Sequence, residues 1–122
     1  MPLSKLTLSS NRRLKKRREY LEIQADGKKL YSKQFLIIVK KSERTDSRIG
    51  VTVTKKVDKR AVGRNRIKRR IKEIFRLNQF RLNGIFDILI IARHDAHSCN
   101  YHDMERQILG TLKAKGYLKD TP

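Results

Sequence analysis

The stretch Gly63–Arg76, "GRNRIKRRIKEIFR", decides how the chain is read. It holds seven lysines and arginines against one glutamate. A run so charged repels itself, and alone it would argue for disorder. Ile67, Ile71, Ile74 and Phe75 nevertheless recur through it at the spacing of one helix face. At about 100° per residue these four cover roughly a third of the circumference. Asn65, Arg69, Lys72 and Arg76 fall on the opposite side. Lys68 flanks the stripe on one side, Arg66 and Arg70 on the other. Arg64 lies along the stripe by angle but in the first turn, so it should project past the packed interface. The pattern predicts a helix anchored on a sheet by its isoleucines, with the remaining surface a rigid array of cations. A helix N-terminus adds partial positive charge and free N–H groups, which suit phosphates. Cations there cost helix stability until anions arrive.

Outward from this helix the periodicity changes. Before it, "RIGVTVTKK" (48–56) alternates as a strand, with Ile49, Val51 and Val53 on one face and Gly50, Thr52 and Thr54 on the other. The first face suits a packed helix, and the second, half-polar, is expected to be open. "KQFLIIVK" (33–40) is a β-type run with Phe35, Ile37 and Val39 opposite Leu36 and Ile38. "KSERTDS" between the two strands reads as a turn or loop. A short helix is expected from about Leu14 to Asp26, with Tyr20, Leu21 and Ile23 on its apolar side and Gly27 as its stop. Residues 1–11 read as polar and loose.

After the basic helix, which the pattern extends to Phe80, "FDILIIARH" (86–94) is apolar on both faces and suits a central strand. A last helix from about Tyr101 to Lys115 carries Tyr101, Met104, Ile108 and Leu112 as a stripe, with Asn100 as N-cap and Gly116 as stop. The order is α-β-β-α-β-α in one α/β domain over residues 1–122, with helices on one sheet.

The composition narrows the function. The chain has 122 residues, 38% of them apolar, which is enough for one core. Its net charge of +19 calls for a polyanion, and nucleic acid leads. A membrane surface is the rival, but no apolar run approaches the ~20 residues of a span. The first twenty residues lack the apolar middle and cleavage site of a secretory signal, and Glu19 and Glu22 weigh against a transit peptide. Cys99 is the only cysteine, which excludes an internal disulfide and fits a reducing compartment. From Lys55 to Arg76 eleven basic residues face two acidic ones, unlike an ordinary mixed surface. Zinc-finger spacing and zipper heptads are missing, and flanking strands exclude a helix-turn-helix. Structured RNA, bound through backbone and shape, is the better partner.

"KKVDKRAVGRNRIKRRIKEIFR" (55–76) resembles the signature of the bacterial ribonuclease P protein subunit family. The matching residues are Lys55, Lys56, Ala61, Val62, Arg64, Asn65, Lys68 and Arg69, with Arg66 completing an Arg-Asn-Arg triplet. "NRRLKKRREYLEI", "SKQFLIIV", "RIGVTVTKK" and "FDILIIAR" are similar to the family's first helix and strands. The resemblance implies a small α/β sandwich with a left-handed crossover around the Arg-Asn-Arg helix, against the general preference. It also implies a subunit of a ribozyme that removes the 5′ leader from precursor tRNA, with magnesium held by the catalytic RNA. The implied partners are that RNA and precursor tRNA, with no DNA and no membrane, in the bacterial cytoplasm. The residues matched to catalytic-RNA binding are Arg64, Asn65, Arg66, Lys68 and Arg69, with Lys72 in the same array. The implied leader cleft comprises Tyr20, Leu36, Ile38, Thr52, Thr54 and Lys56. The family often has aromatics where this chain has Gln24 and Ile38, which implies weaker base stacking. The loop Val57–Arg60 is about one residue longer than the family pattern. A ribosomal or other structural RNA-binding role is the alternative.

His94, His97, Cys99 and His102 are four possible zinc ligands, but their spacing is tight for a tetrahedral site. A polar loop leading into an N-cap is the competing reading. No catalytic set of protein residues is evident, so no metal and no catalytic residue are assigned to the protein.

Overall fold

A computed structural model describes residues 12–119. The elements are α1 (Arg17–Asp26), β1 (Lys28–Tyr31), β2 (Phe35–Lys41), β3 (Arg48–Thr52), α2 (Ala61–Asn78), β4 (Phe86–Ala92) and α3 (Tyr101–Ala114). The four strands form one sheet in the order β1-β2-β4-β3. β2 lies antiparallel to both β1 and β4, and β3 lies parallel to β4. β4 is thus central, as its two apolar faces require: Ile88 and Ile90 point to one core, Leu89 to the other.

Three layers result. On one face, Phe35, Ile37, Val39, Ile49, Val51 and Val53 pack against Ile67, Ile71, Ile74 and Phe75 of α2 and Met104, Ile108 and Leu112 of α3. Ile71 is wholly buried. The predicted alternation and both helix stripes hold. On the other face, α1 and the segment before it lie over β2 and β4, with Leu14, Ile23, Ile38 and Leu89 buried together. This corrects the expectation of an open second face. α1 roofs part of it, and the uncovered remainder runs past Tyr20, Leu36, Ile91 and Thr52, which are all partly exposed.

Several boundaries differ from the reading. α1 begins at Arg17, not Leu14. Arg13 and Leu14 are extended instead: Arg13 forms a parallel bridge with Ile49, and the Leu14 N–H donates to the Ile49 carbonyl at 2.8 Å. The outer edge of β3 was open to such a bridge. Leu21 is half exposed, not packed. β1 was missed. Only Leu30 of its four residues is buried, so its alternation is too short to read. β3 stops at Thr52, earlier than expected, and α2 gives way at Gln79 to a single 3-10 turn. α3 starts at Tyr101 as predicted and ends at Ala114, one residue before the expected Lys115. The Asn100 side chain accepts the Asp103 N–H at 2.8 Å, and Gly116 takes a positive φ of 84° beyond the helix. The expectation for residues 1–11 lies outside the described residues.

One polar cluster ties the outer layer to the sheet. Arg48 on β3 donates to both carboxylate oxygens of Asp87 on β4, at 2.9 and 2.7 Å, and also to Glu19 of α1. Burial would raise the Glu19 carboxyl. The Arg48 bond and the N–H groups of Lys16 and Lys15 outweigh it and hold the group at about 2.

Candidate nucleic-acid interface

α2 presents its cations as the wheel required. Asn65, Arg66 and Arg69 are exposed, Lys68 and Arg70 are half-buried along the flanks of the stripe, and Lys72 is half-buried as well. A shallow groove runs between Asn65, Lys68, Arg69, Lys72, Glu73 and Arg76. Glu73 is engaged by Arg76 of the same helix. No acidic side chain pairs with Arg66, Lys68, Arg69 or Lys72 among the described residues. Burial, and then the charges of Arg13 and Lys68, push the Lys72 ammonium down. Crowding of like charges on this face is therefore intrinsic to the folded chain, and an arriving anion relieves it. Arg13 joins the array from a different element, which no helical wheel could show.

Arg64 behaves differently from its neighbours. Its guanidinium turns back and donates to the carbonyls of Asp58 and Lys59, at 3.0 and 2.9 Å. It braces the loop that enters α2. The Asp58 carboxylate lies against Gly63, where a Cβ would come within 1.9 Å of its oxygen and force that side chain to move. The N-terminus of α2 has no side-chain cap and no acidic residue in its first turn. Its N–H groups are left for other acceptors.

A second concavity opens between α1 and the end of β3, lined by Lys15, Arg17, Tyr20, Leu21, Gln24 and Thr52. Tyr20 and Thr52 are thus brought together from residues far apart in the chain. The Tyr20 hydroxyl donates to the Leu14 carbonyl at 3.2 Å. Its ring rests on Gly50, where a Cβ would come within 3.0 Å of the phenol. Burial chiefly raises the phenol pKa. Leu36 is half-buried and packs against the same small core as Tyr20, outside the lining of the concavity. Ile38 does not reach it: at 1% exposure beneath α1 it is core, a correction to its assignment. Thr54 and Lys56 are exposed beyond the strand end. Lys15, Arg17 and Leu21 were missed as lining residues. Arg17 and Gln24 stand three and four residues from Tyr20 on one helix face, a signal that could have found them.

The four possible zinc ligands do not assemble. Cys99 is buried and faces Gln107, and burial pushes its thiol up. His102 lies on α3 beside Glu105. Among the described residues no group of three or more His, Cys, Asp or Glu side chains is placed to hold a metal ion.

With this geometry in hand, residues 8–115 match the family model described as Ribonuclease P. The chain belongs to that family. A ribonuclease P protein component from Syntrophus aciditrophicus is 46% identical over 113 residues, covering 93% of each chain. One from Desulfosudis oleivorans is 43% identical over 96 residues, covering 79% of this chain and 78% of the other. The structure of the Staphylococcus aureus RNase P protein superposes with a TM-score of 0.80 at 28% identity, covering 88% of this chain and 98% of that one. The Thermotoga maritima RNase P protein gives 0.75 at 32% identity, over 84% and 96%. The chain is therefore a subunit of ribonuclease P, the endoribonuclease of tRNA 5′ maturation, and it works with an RNA subunit on a tRNA substrate. No helix among the described residues is long and apolar enough to cross a membrane.

Proposed function

We propose that the subunit works through two separate RNA-facing surfaces. The α2 surface of Arg66, Lys68, Arg69 and Lys72, with Asn65 and the loop-bracing Arg64, holds the catalytic RNA. The concavity between α1 and β3, with Tyr20, Thr52 and the edge of Leu36, takes the 5′ leader of precursor tRNA, and Thr54 and Lys56 continue its path. The observation that carries this reading is the meeting of Tyr20 and Thr52 in one concavity whose rim includes Lys15 and Arg17. An aromatic face, a hydroxyl and flanking cations suit a single strand bound by stacking and backbone contacts. Such contacts carry little base information, so most leader sequences are accepted.

Cleavage itself belongs to the RNA. Magnesium ions held by that RNA would supply the activation of water, and the protein raises the fraction of productively bound substrate. The partners are RNA, with neither DNA nor a membrane, and the site of action is the cytoplasm. Two titrations of a Tyr20→Ala/Thr52→Val variant test the division of labour. Preference for precursor over mature tRNA should fall several-fold while affinity for the catalytic RNA holds. The reverse result would show that the two surfaces are exchanged.

A further inference from the structure

The strand pairings set one row of residues across the face of the sheet that α1 only partly roofs. Tyr31 of β1 lies beside Leu36 of β2, Leu36 beside Ile91 of β4, and Ile91 beside Thr52 of β3. Leu36 and Ile91 pack with the small core beneath α1. Leu30 and Val51 are buried in the opposite core, so their neighbours Tyr31 and Thr52 turn to the α1 side. Adjacent strands stand about 4.8 Å apart, which puts Tyr31 about 14 Å from Thr52 along the row.

The row changes character from end to end. At one end Thr52 lines the Tyr20 concavity. In the middle Leu36 and Ile91 form a half-buried apolar floor. At the far end Tyr31 is 67% exposed. It belongs to neither core, and its hydroxyl has no protein partner among the described residues. A single exposed aromatic is ordinary. One in line with an apolar floor and an aromatic, cation-rimmed concavity extends that surface to the edge of the sheet. β1 is the outermost strand, and Lys28 and Lys29 precede Tyr31 on it, both exposed. Exposed lysines on an edge strand oppose the addition of a further protein strand. They suit a phosphate backbone, and neither has an acidic partner among the described residues.

We infer that Tyr31 is a further stacking position for single-stranded RNA, taking a leader base more distant from the cleavage site than those at Tyr20 and Thr52. The inference rests on the two-surface reading above. Thr54 and Lys56 lead from Thr52 towards the start of α2, so the opposite direction along the row leads away from the catalytic RNA. Tyr31 supplies an aromatic face on a side of the molecule where Gln24 stands in the concavity and Ile38 is buried under α1.

The test uses the subunit reconstituted with the catalytic RNA, and precursor tRNAs whose leaders lengthen one nucleotide at a time. With the unaltered chain, affinity should rise with leader length. Tyr31→Ala should remove about tenfold of that rise, at the longer leaders only. Tyr31→Thr, which keeps strand propensity without the ring, should do the same, and Tyr31→Phe should retain the rise. Abasic substitution of the distal leader nucleotides should weaken binding to the unaltered chain equally and add little on Tyr31→Ala. Thermal melts are the folding control. Loss at every leader length, no loss at any, or a Tyr31→Phe variant as weak as Tyr31→Ala overturns the inference. So does a changed oligomeric state in sedimentation with leader affinity kept, which would give the edge to protein contact. Tyr20→Ala/Thr52→Val is run alongside. If it weakens binding of short and long leaders while Tyr31→Ala changes neither, only this position falls. If neither variant alters the response to the leader, the two-surface reading falls with it.

Discussion

At the scale of single residues, Gly50 and Glu19 show how position outweighs type. Gly50 reads as a gap in a strand, yet its missing Cβ is the seat of the Tyr20 ring. Gly50→Ala should therefore displace the phenol and lower precursor preference about as much as Tyr20→Ala does. Combining the two should add little, and a full double-mutant cycle on precursor binding checks this. Glu19 makes the fold acid-sensitive. Its folded carboxyl sits near 2 against an ordinary 4.5, so the stabilisation is complete above 4.5 and is lost as pH falls towards 2. Glu19→Gln should cost about 1–2 kcal/mol at neutral pH, allowing for screening of a partly exposed pair, and much less at about pH 2. Denaturant melts of both proteins across that range give the answer. The ion pair of Glu19 with Arg48 was not legible in sequence, since Arg48, and Asp87 which shares it, are ordinary charged residues until the strands pair.

At the scale of elements, α2 separates into a face that folds and a cationic face proposed to bind RNA. Arg66→Ala/Lys68→Ala/Arg69→Ala should leave the melting curve nearly unchanged while weakening the catalytic-RNA complex. The salt dependence of that affinity should lose about one unit of slope per phosphate contact removed. Ile71→Asp should do the opposite and unfold the domain, since it places a charge where exposure is 0% and no partner is at hand. Circular dichroism and RNA titration on both variants distinguish the faces. This helix was legible because both its faces are written in one 3.6-residue period. α1 was less so. Its entry is a run of basic residues without periodicity, and its start is set by the Leu14–Ile49 hydrogen bond, a contact across 35 residues.

At the scale of the whole molecule, the +19 chain is suited electrostatically to an RNA partner, and the chemistry is proposed to rest with that RNA. Precursor cleavage by the catalytic RNA at low magnesium should be strongly stimulated by the protein, because its cations replace part of the ionic screening the RNA needs. The protein without RNA should leave precursor tRNA uncut, and cleavage at the mature 5′ end by an RNA-free preparation would overturn the placement of chemistry on the RNA. What the amino-acid sequence determined by itself is local and repetitive: the isoleucine stripe of α2, the alternation of β2 and β3, the doubly apolar β4, the caps of α3, and the Arg-Asn-Arg block that marks the family. What only the tertiary structure decided is which distant residues meet. The roof that α1 lays over Ile38, the edge strand β1, the approach of Arg13 to Lys72, and the row that sets Tyr31, Leu36, Ile91 and Thr52 abreast all depend on strand order. Periodicity reports the environment of one element, whereas strand order is chosen by how all the apolar faces are buried at once.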